Sequence, residues 1–464
     1  MAWSAYGWPA NRAVPSVNNP NTKPSDQRYC VTTALVIGAG IAGPVAALAL
    51  RRAGIETEIF ESHDDVADNV GSWLTIAVNG LDALAAIDAH HVVTSTGFTT
   101  SHNELMSHRG APLRRFDIGG SLADGTKSQT VKRAALYRAL IAAARHNGVA
   151  VHFSKKLAAA ESNDDKTATA RFTDGTSRTA DLIIGCDGLR SVVRSTIDPV
   201  APPPRYVGMV NYGGYAPAES YPAALRTPVG TWQMRYSKNA FFGHVTDPTG
   251  GSVWFVNEPR DEVTPSEREN TTAELWRKKL IDLFAGEPGP AAALIAAGQL
   301  DIAADNVYDH PSTPHWHNGV NMLVIGDAAH APSSISGQGA GMAIEDAVTI
   351  AQCLRDIADI GEAFTAYESI RRTRVERMVN QETRGISNKL PGRVAYGSIP
   401  RLWRGADSGE VTLFDRFESR TREAALKTIY RWFITQQTTR WAYEHHIDWN
   451  IRMHSTRSAS LARL

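Results

Sequence analysis

The chain has 464 residues, 43% of them hydrophobic, which is enough for two or three domains with large cores. Its 48 Lys and Arg residues balance its 48 Asp and Glu residues, so neither a nucleic acid nor an anionic membrane is indicated as a partner. Three scattered cysteines exclude a disulfide framework and a thiolate metal site, and they are typical of a reducing, cytoplasmic protein.

The N-terminal residues 1–30 are rich in Asn, Pro and Ser and lack the basic start and apolar core of a signal peptide. We therefore expect a mobile tail there. No membrane span is predicted, because the longest apolar run, residues 34–50, is short and is interrupted by glycines and a proline.

The first structured motif is an apolar strand at residues 34–37 that leads through a glycine-rich turn into an Ala- and Leu-rich helix. Gly38 permits the tight turn, Gly40 lets the backbone approach a pyrophosphate, and Gly43 lets the helix pack on the strand. The helix start, at Ile41 and Ala42, offers free N–H groups and a partial positive charge to phosphates.

A second strand, residues 57–60, ends in Glu61. This is about 20 residues after the turn, where a carboxylate binds a ribose hydroxyl in dinucleotide sites. An acid at this position disfavours the phosphorylated ribose of NADP. The order of strand, turn, helix, strand and acid predicts dinucleotide binding and leaves NAD and FAD as alternatives.

Between residues 71 and 200, short strands alternate with helices. We predict a strand at 71–77, a helix at 79–89, a hairpin over 96–118 with its turn at 109–110, a helix at 132–140 and a strand at 149–153. A ribbon of residues 157–160 and 167–172 is expected to close at the turn dipeptide 174–175. A buried strand at 180–185 then runs into Asp187 and Gly188.

Three consecutive prolines at 202–204 mark a crossing into a segment with β character. Aromatic-rich runs at 206–214, 230–236, 241–245 and 252–256 predict an antiparallel sheet, followed by a helix at 272–284. A buried strand at 322–325 ends in Gly326 and Asp327, and helices are predicted at 342–359 and 362–383 and over most of the remaining chain.

Three short apolar strands therefore end in turns of glycine and acidic residues, at 38–43 with Glu61, at 187–188 and at 326–327. Their order, with the strings GCDGLRSVVR and GDAAHAPSSISGQGAGMAIEDA, resembles the single-component, FAD-dependent monooxygenases of the aromatic hydroxylase (para-hydroxybenzoate hydroxylase-like) family over about residues 33–385. The helix that carries Arg133 matches as well.

The resemblance implies an α/β fold with a Rossmann-like FAD-binding domain, an antiparallel β-sheet substrate domain and a C-terminal helical extension. It assigns residues 31–200 and 305–385 to the FAD-binding domain, with 72–127 contributing partly to the substrate domain. Residues 201–304 would form the sheet domain, and residues 386–464 the helical segment.

The resemblance also implies cofactor contacts. Glu61 would bind the adenosine ribose, Asp327 the ribityl hydroxyls, and Arg133 the phosphates or the ribityl chain. The helix that begins near residue 340 would turn its N–H groups toward flavin N1 and O2, where negative charge gathers on reduction. The complete set of expected FAD contacts is Gly38, Gly40, Ile41, Ala42, Gly43, Glu61, Arg133, Asp187, Asp327, Gly337, Gly339, Ala340 and Gly341.

Several of these residues also have simpler structural interpretations. Asp327 could be only a helix N-cap, Asp187 could position its own loop, and Arg133 could form a surface salt bridge. His330 is more typical of a loop-packing residue than of a base. The family often carries a proline over the flavin ring at the position of Ser334, so the sequence departs from the pattern there.

The implied activity is that of a monooxygenase. NADH or NADPH would dock transiently and reduce FAD, O2 would add at flavin C4a, and the peroxide would hydroxylate an aromatic ring or epoxidise an alkene of an aromatic or polycyclic, natural-product-like small molecule. The sequence lacks a second GxGxxG unit, which fits transient docking of the reductant. A flavin-dependent reductase or dehydrogenase without oxygen insertion is the main alternative, and a non-catalytic escort protein is the third.

Aromatic residues on the predicted sheet strands are candidates for the substrate cavity, although core packing would account for many of them. His244 or Tyr215 could act as the base that deprotonates a phenol. No metal site is predicted, and a monomer or homodimer is expected. The expected substrate contacts are Trp73, Tyr212, Trp232, Phe242 and Trp254.

Overall fold

The structure is a computed structural model that describes residues 31–64, 73–107, 110–237, 239–310, 313–333, 337–389 and 440–455. The predicted N-terminal tail, Ser334 and most of the predicted C-terminal helical segment lie outside these residues. Within the described part, no helix is both long and apolar enough to cross a membrane.

The strands of the described residues group into four sheets. In chain order they are β1 (Thr33–Ile37), β2 (Glu56–Phe60), β3 (Trp73–Ile76), β4 (Phe98–Thr99), β5 (His102–Met106), β6 (Pro112–Asp117), β7 (Gln129–Lys132), β8 (Ala150–His152), β9 (Leu157–Ser162), β10 (Ala168–Phe172), β11 (Ser177–Ala180), β12 (Leu182–Gly185), β13 (Arg205–Ala216), β14 (Thr231–Tyr236), β15 (Phe241–Thr246), β16 (Ser252–Pro259), β17 (Gln299–Asp309) and β18 (Met322–Val324).

The described helices pack against these sheets and against one another. They are α1 (Ala42–Arg52), α2 (Val78–Ala86), α3 (His91–Thr94), α4 (Arg133–His146), α5 (Val192–Ile197), α6 (Pro265–Asn270), α7 (Ala273–Leu283), α8 (Ala291–Ala297), α9 (Gly339–Asp356), α10 (Ile360–Lys389) and α11 (Arg440–Tyr443).

A parallel sheet in the order β18-β12-β1-β2-β8 organises the first layer of this mixed α/β fold. Strands β1, β12 and β18 are almost wholly buried, as parallel strands covered on both faces must be. Helices α1 and α9 pack against each other beside this sheet. Because the three strands are neighbours and run in the same direction, the three turns singled out in the sequence meet at one edge of the sheet.

A small antiparallel sheet in the order β11-β10-β9 differs from the predicted ribbon. The turn at Asp174 and Gly175 joins β10 to β11 and does not close β9 against β10. The single strand predicted at 180–185 is split at Asp181, whose carboxylate accepts hydrogen bonds from the backbone N–H groups of Thr32 and Thr33. The strand is split because β11 pairs with β10 in the small sheet, whereas β12 pairs with β1 in the parallel sheet.

A seven-stranded sheet in the order β17-β13-β16-β15-β14-β5-β6 forms the second layer, and strands β5 and β6 bring part of the segment 72–127 into it. The boundary expected between residues 304 and 305 falls inside β17 and is corrected by it. The sequence of β17 lacks regular alternation because the pairing with β13 shifts register at several points and Ala304 has φ +54°. The predicted hairpin is confirmed where β5 and β6 pair in antiparallel fashion. Its first residues are corrected, since β4 pairs with β7 in a third antiparallel group, β3-β7-β4.

The two faces of the seven-stranded sheet have different neighbours. Helices α7 and α8 cover one face, where Trp276 and Leu294 pack against the sheet. The other face meets β3 and carries what we call the aromatic cluster. It comprises Trp73, Phe98, Tyr215, Trp232, Phe255 and Tyr443, packed around Ile118, Val245 and Val253.

The described C-terminal segment, residues 440–455, is helical only in α11, so the expectation of a continuous helix is corrected for residues 444–455. Side chains of α2 and α9 form hydrogen bonds with backbone groups of this segment. Asp82 accepts from the N–H of Ile447 at 2.7 Å, and Gln352 donates to the carbonyl of Asp448 at 2.8 Å. Backbone groups that are satisfied in this way gain nothing from forming a helix.

Candidate active site

The turn between β1 and α1 is shaped by its glycines. Gly38 has φ +102°, and a Cβ there would lie 2.4 Å from the carbonyl oxygen of Cys186 on the neighbouring strand. A Cβ on Gly43 would lie 1.9 Å from the carbonyl oxygen of Gly38, so the helix start needs a glycine as well. A Cβ on Gly40 would meet no heavy atom within 4 Å, which leaves this side of the turn open to a ligand.

Glu61 lies beside this turn and is tied to it. One carboxylate oxygen accepts from the N–H of Ala39 at 2.7 Å, and the other accepts from the N–H of His63 and the hydroxyl of Ser62, both at 3.0 Å. Burial raises the pKa of Glu61, but these hydrogen bonds outweigh burial and hold the pKa below its usual value. Glu61 is therefore an ionised acceptor at the position expected for a ribose contact.

The second turn of the site contains Asp327, in a single 3₁₀ turn at Gly326–Ala328. A Cβ on Gly326 would lie 3.4 Å from the Cβ of Ala42, so this turn touches the start of α1. The Asp327 side chain is open to solvent but enclosed by protein on several sides, as on the floor of a cleft. This enclosure raises the pKa of Asp327, and the charges of His330 and Arg133 offset part of the rise.

Arg133 opens α4 and is exposed. Besides Asp327, it influences Asp305 on β17, whose pKa is raised by burial and partly restored by Arg268 and Arg133. Arg133 therefore stands between acids of the parallel sheet and of the seven-stranded sheet. The exposed guanidinium of Arg133 has the charge and planar geometry that bind an anionic ligand.

Helix α9 begins where a negative charge is expected to gather. Its first intrahelical hydrogen bond runs from the N–H of Met342 to the carbonyl of Gln338 at 2.9 Å, so the N–H groups of Gly339, Ala340 and Gly341 precede it. The side chain of the N-cap residue, Gln338, makes no capping hydrogen bond to this end of the helix. A Cβ on Gly339 would lie 3.8 Å from Oδ1 of Asp327, which brings the carboxylate and the helix start together.

The first turn of α9 and the first turn of α2 also meet. Gly337 has φ +66° and open space where a Cβ would stand. A Cβ on Gly341 would lie 3.0 Å from Nδ2 of Asn79, and one on Gly80 would lie 3.1 Å from the Cα of Gly341. Because β3 directly precedes α2, this close packing places β3 near the start of α9. Trp73 of the aromatic cluster lies on β3.

Asp187 is bonded within its own loop. Its carboxylate accepts from the hydroxyl of Ser191 at 2.5 Å and from the N–H of Val192 at 2.7 Å. These contacts favour the structural interpretation, in which Asp187 shapes the loop and the start of α5. A direct contact between Asp187 and FAD stays a prediction.

A residue that the sequence analysis missed links two of the turns. Arg194 donates to the carbonyl of Leu189 at 2.6 Å and to the carbonyl of Ala328 at 2.9 Å. It is almost fully buried despite its charge. Its place in the string GCDGLRSVVR is the signal that could have drawn attention to it, since a cation in a segment that becomes buried needs a specific partner.

A buried charge cluster supports the Asp327 turn from below, and the sequence analysis missed it too. Asp346 on α9 accepts from the N–H of Gly326 at 3.0 Å, from His330 and from Arg371. Burial raises the pKa of Asp346, but His330 and Arg371 hold it well below its usual range. His330 thus packs and positions the turn, as predicted from its sequence context.

The same cluster extends to the C-terminal segment. Glu345 accepts from Arg371 at 2.5 Å, from Arg374 at 2.8 Å and from Asn79 at 2.7 Å. Burial raises the pKa of Glu345, but the two arginines bring it down to about 2. Arg374 also donates to the carbonyl of Ala442 at 2.7 Å. Two adjacent acids inside an otherwise apolar helix were the sequence signal for this cluster.

Four aromatic or basic candidates lie on the wrong face of the seven-stranded sheet, which corrects their assignment to the substrate side. Alternation along each strand points them toward α7 and α8. The rings of Tyr212 and Trp276 lie 5.8 Å apart, and those of Phe242 and Phe284 lie 5.6 Å apart. The corrected residues are Tyr212, Phe242, His244 and Trp254.

His244 cannot serve as the expected base. Its side chain is 1% exposed, and burial together with the charge of Arg235 lowers its pKa to about 3. Its Nε2 lies 3.3 Å from the amide oxygen of Gln233. An imidazole that is sealed from solvent and so weakly basic has no access to a substrate proton.

The remaining candidates share the face that meets β3. The rings of Trp73 and Tyr215 stack at 5.8 Å, and the indole N–H of Trp232 donates to the hydroxyl of Thr75 at 3.2 Å. Tyr215 donates to the carboxylate of Asp247 at 2.8 Å, and burial raises its pKa. Their contact with a substrate, and a role for Tyr215 in proton transfer, stay predictions.

The residues present fit an extended dinucleotide. Open space lies beside Gly40 and Gly337, ionised Glu61 marks one end, and the enclosed Asp327 and the start of α9 mark the other. Comparison with known proteins leads to the same ligand, since the family described as FAD binding domain matches residues 31–382. The chain belongs to this family.

Curated relatives of this flavoprotein are hydroxylases and monooxygenases. The 3-amino-4-hydroxybenzoate 2-monooxygenase PtnB3 of Streptomyces platensis is 32% identical over 355 residues, which cover 75% of this chain and 86% of the relative. The FAD-dependent urate hydroxylase of Klebsiella pneumoniae is 28% identical over 351 residues, covering 75% and 87%. Like them, the flavoprotein is an FAD-dependent oxidoreductase of the monooxygenase class.

The fold is shared with solved structures of FAD complexes. Klebsiella pneumoniae HpxO complexed with FAD and uric acid superposes with a TM-score of 0.69 at 23% identity, covering 90% of this chain and 97% of that one. CtdE in complex with FAD and a substrate superposes with a TM-score of 0.66 at 17% identity, covering 87% and 100%.

Proposed function

We propose that this flavoprotein uses NADH or NADPH and O2 to insert one oxygen atom into an aromatic small molecule. The observation that carries the proposal is the meeting of three features at one cleft: the start of α9, the carboxylate of Asp327, and the face of the seven-stranded sheet that bears the aromatic cluster. An apolar aromatic wall beside an anion-stabilising helix end suits a flat substrate held against a redox cofactor.

The domain assignment follows from this arrangement. The parallel sheet, with residues up to about 200 and from about 310, would be the Rossmann-like FAD-binding domain, and the seven-stranded sheet the substrate domain. Residues 440–455 would belong to a C-terminal extension that reaches the site. The buried, free thiols of Cys186 and Cys353 suit a reducing, cytoplasmic compartment. The protein would act as a monomer or a homodimer.

The chain would contribute binding and electrostatics. FAD, when bound, supplies the transfer of reducing equivalents and the activation of O2. Glu61 would hold the adenosine ribose and Asp327 the ribityl hydroxyls, while Arg133 would compensate the phosphate charge. The N–H groups of Gly339 and Ala340 would stabilise negative charge on the reduced ring.

The relatives favour a substrate with an electron-rich ring. Their names specify hydroxybenzoates, aminohydroxybenzoates and urate, which are all small and aromatic or heteroaromatic. In this chain, Trp73 and Trp232 would form the apolar side of the cavity, and Tyr215 would supply a hydroxyl on the same face of the sheet.

An isotope experiment tests the proposal. Purified protein, loaded with FAD, is supplied with NADH or NADPH and a panel of phenols, benzoates, urate and aromatic natural products, and oxidation of the reductant is followed by absorbance. We expect at least one compound to stimulate oxidation and to acquire a single heavy oxygen atom from ¹⁸O₂. Stimulated turnover without label in the product would identify a reductase or dehydrogenase, and a colourless protein that takes up no FAD would identify an escort protein.

A further inference from the structure

The C-terminal segment reaches the start of α9 through Tyr443. Gly119 has φ +73°, and a Cβ there would lie 3.1 Å from the Cβ of Tyr443 and 3.3 Å from Cγ2 of Val78. The side chain of Gln338 interacts with the Tyr443 hydroxyl, and this interaction offsets part of the rise that burial causes in the pKa of Tyr443. Gln338 is the N-cap residue of α9, so Tyr443 spans the distance from the substrate face to the first turn of this helix.

Tyr443 belongs to the aromatic cluster. Its ring packs with Trp73, Tyr215 and Trp232 around the buried aliphatic side chains of that face. Burial raises the pKa of Tyr443, so its hydroxyl stays protonated near neutral pH. Tyr443 is therefore a neutral aromatic member of the cluster, and it comes from a segment that lies outside the described sheets.

The backbone around Tyr443 is fixed by charged side chains of the body. Arg374 donates to the carbonyls of Trp441 at 3.0 Å and Ala442 at 2.7 Å. Asp82 holds the N–H of Ile447 at 2.7 Å and the imidazole of His446 at 2.8 Å. A ring held on both sides in this manner is a preorganised wall.

We propose that Tyr443 is a specificity-determining residue of the oxygenation site, closing the substrate cavity with its ring while Gln338 orients its hydroxyl. The inference rests on the proposed function, because it assigns the cavity beside α9 to an aromatic substrate. The ring selects flat, uncharged surface on that substrate, and it limits solvent access to the redox centre.

Two variants of Tyr443 and one control separate this role from a structural one. Tyr443→Ala removes the ring, and Tyr443→Leu keeps apolar volume without an aromatic face. His446→Ala serves as the control, since it removes an anchor of the same segment but no part of the aromatic cluster. FAD affinity, thermal unfolding, and iodide quenching of the bound flavin fluorescence are measured for each.

We expect Tyr443→Ala to bind FAD as the parent does but to show severalfold stronger iodide quenching, while His446→Ala quenches like the parent. With 3-hydroxybenzoate, 3-amino-4-hydroxybenzoate and urate as probes, any compound turned over by the parent should show a KM raised about tenfold or more in Tyr443→Ala, with a smaller change in kcat. For both iodide quenching and KM, Tyr443→Leu should lie between the parent and Tyr443→Ala.

Unchanged iodide quenching and unchanged KM in Tyr443→Ala would overturn the inference. So would loss of FAD binding together with a lower unfolding temperature in both Tyr443 variants, because that result means a structural role only. If the parent binds FAD and gives labelled product but Tyr443→Ala behaves identically, only this inference fails. If the parent gives no labelled product, the proposed function fails first.

Discussion

Arg371 is the centre of the buried charge cluster, and its replacement by methionine tests how much that cluster stabilises the fold. The side chain is wholly buried, with Nε 2.7 Å from Asp346 and Nη1 2.5 Å from Glu345. Methionine would fill most of the volume but leave two buried carboxylates with fewer partners. Glu345 keeps Arg374, whereas Asp346 keeps only His330 as a cation among its described contacts.

We expect Arg371→Met to lower the free energy of unfolding by about 3–5 kcal/mol, the usual cost of removing one partner from a buried ion pair. Urea unfolding followed by circular dichroism measures the loss. FAD affinity should fall as well, because Asp346 also holds the N–H of Gly326 in the Asp327 turn.

A matched control is Arg171→Met, which breaks an exposed pair with Glu161 and should cause no measurable loss. The reasoning is refuted if Arg371→Met is as stable as this control. In that case the carboxylates would be protonated or solvated after the change, and the cluster would not be what holds the Asp327 turn.

Three further predictions concern single residues. Asp327→Asn should weaken FAD binding about tenfold to a hundredfold, since it removes a charged hydrogen-bond acceptor, and fluorescence titration measures this; unchanged affinity contradicts the ribityl contact. His244→Gln should leave the pH profile of kcat unchanged, because the imidazole lies on the helix-covered face; a lost basic limb contradicts this. A hydrogen bond and the charge of Asp82 raise the pKa of His446 above 6.5. The pair therefore stabilises the fold fully below pH 6.5, and this stabilisation is lost as the pH rises through the raised pKa. His446→Gln should lower the free energy of unfolding at about pH 5.5 but not at about pH 9.

The nucleotide half of the site could be predicted from the sequence because its signals are local. Gly38, Gly43 and Glu61 each have a role set by a turn or by the strand that precedes them. The turn at Asp327 follows a buried strand, and parallel strands bring such turns to one edge. Which turns lie next to each other depends on the order of the strands in the sheet, and the structure gives that order.

The substrate half could not be predicted to the same extent. Alternation separates Tyr212 and Trp254 from Tyr215 and Trp232, but it does not say which set the helices cover. The answer depends on where α7 packs, which is a tertiary contact. The strand β17 was missed because bulges remove its period of two.

The charge cluster was hidden for a related reason. Glu345 and Arg371 lie on different helices, and in the sequence each resembles an ordinary surface charge. Only the packing of α10 on α9 brings them together and excludes water. Charged residues inside a long apolar helix are the local sign that such a partner exists.

Side chains of α9 and α10 hold the segment 440–455 by hydrogen bonds to the main chain of that segment. Arg374, Gln352 and Arg355 all donate to carbonyl groups there, and Asp356 accepts from the N–H of Met453 at 2.8 Å. Main-chain groups are the same for every residue except proline, so these contacts do not depend on side-chain identity. The side chains of Trp441 and Trp449 are constrained separately, because arginines of α1, α9 and α10 pack over their rings. The contacts that hold the segment are therefore separate from the side chain that reaches the cleft. A substitution at Tyr443 changes the cavity wall but leaves these main-chain contacts in place.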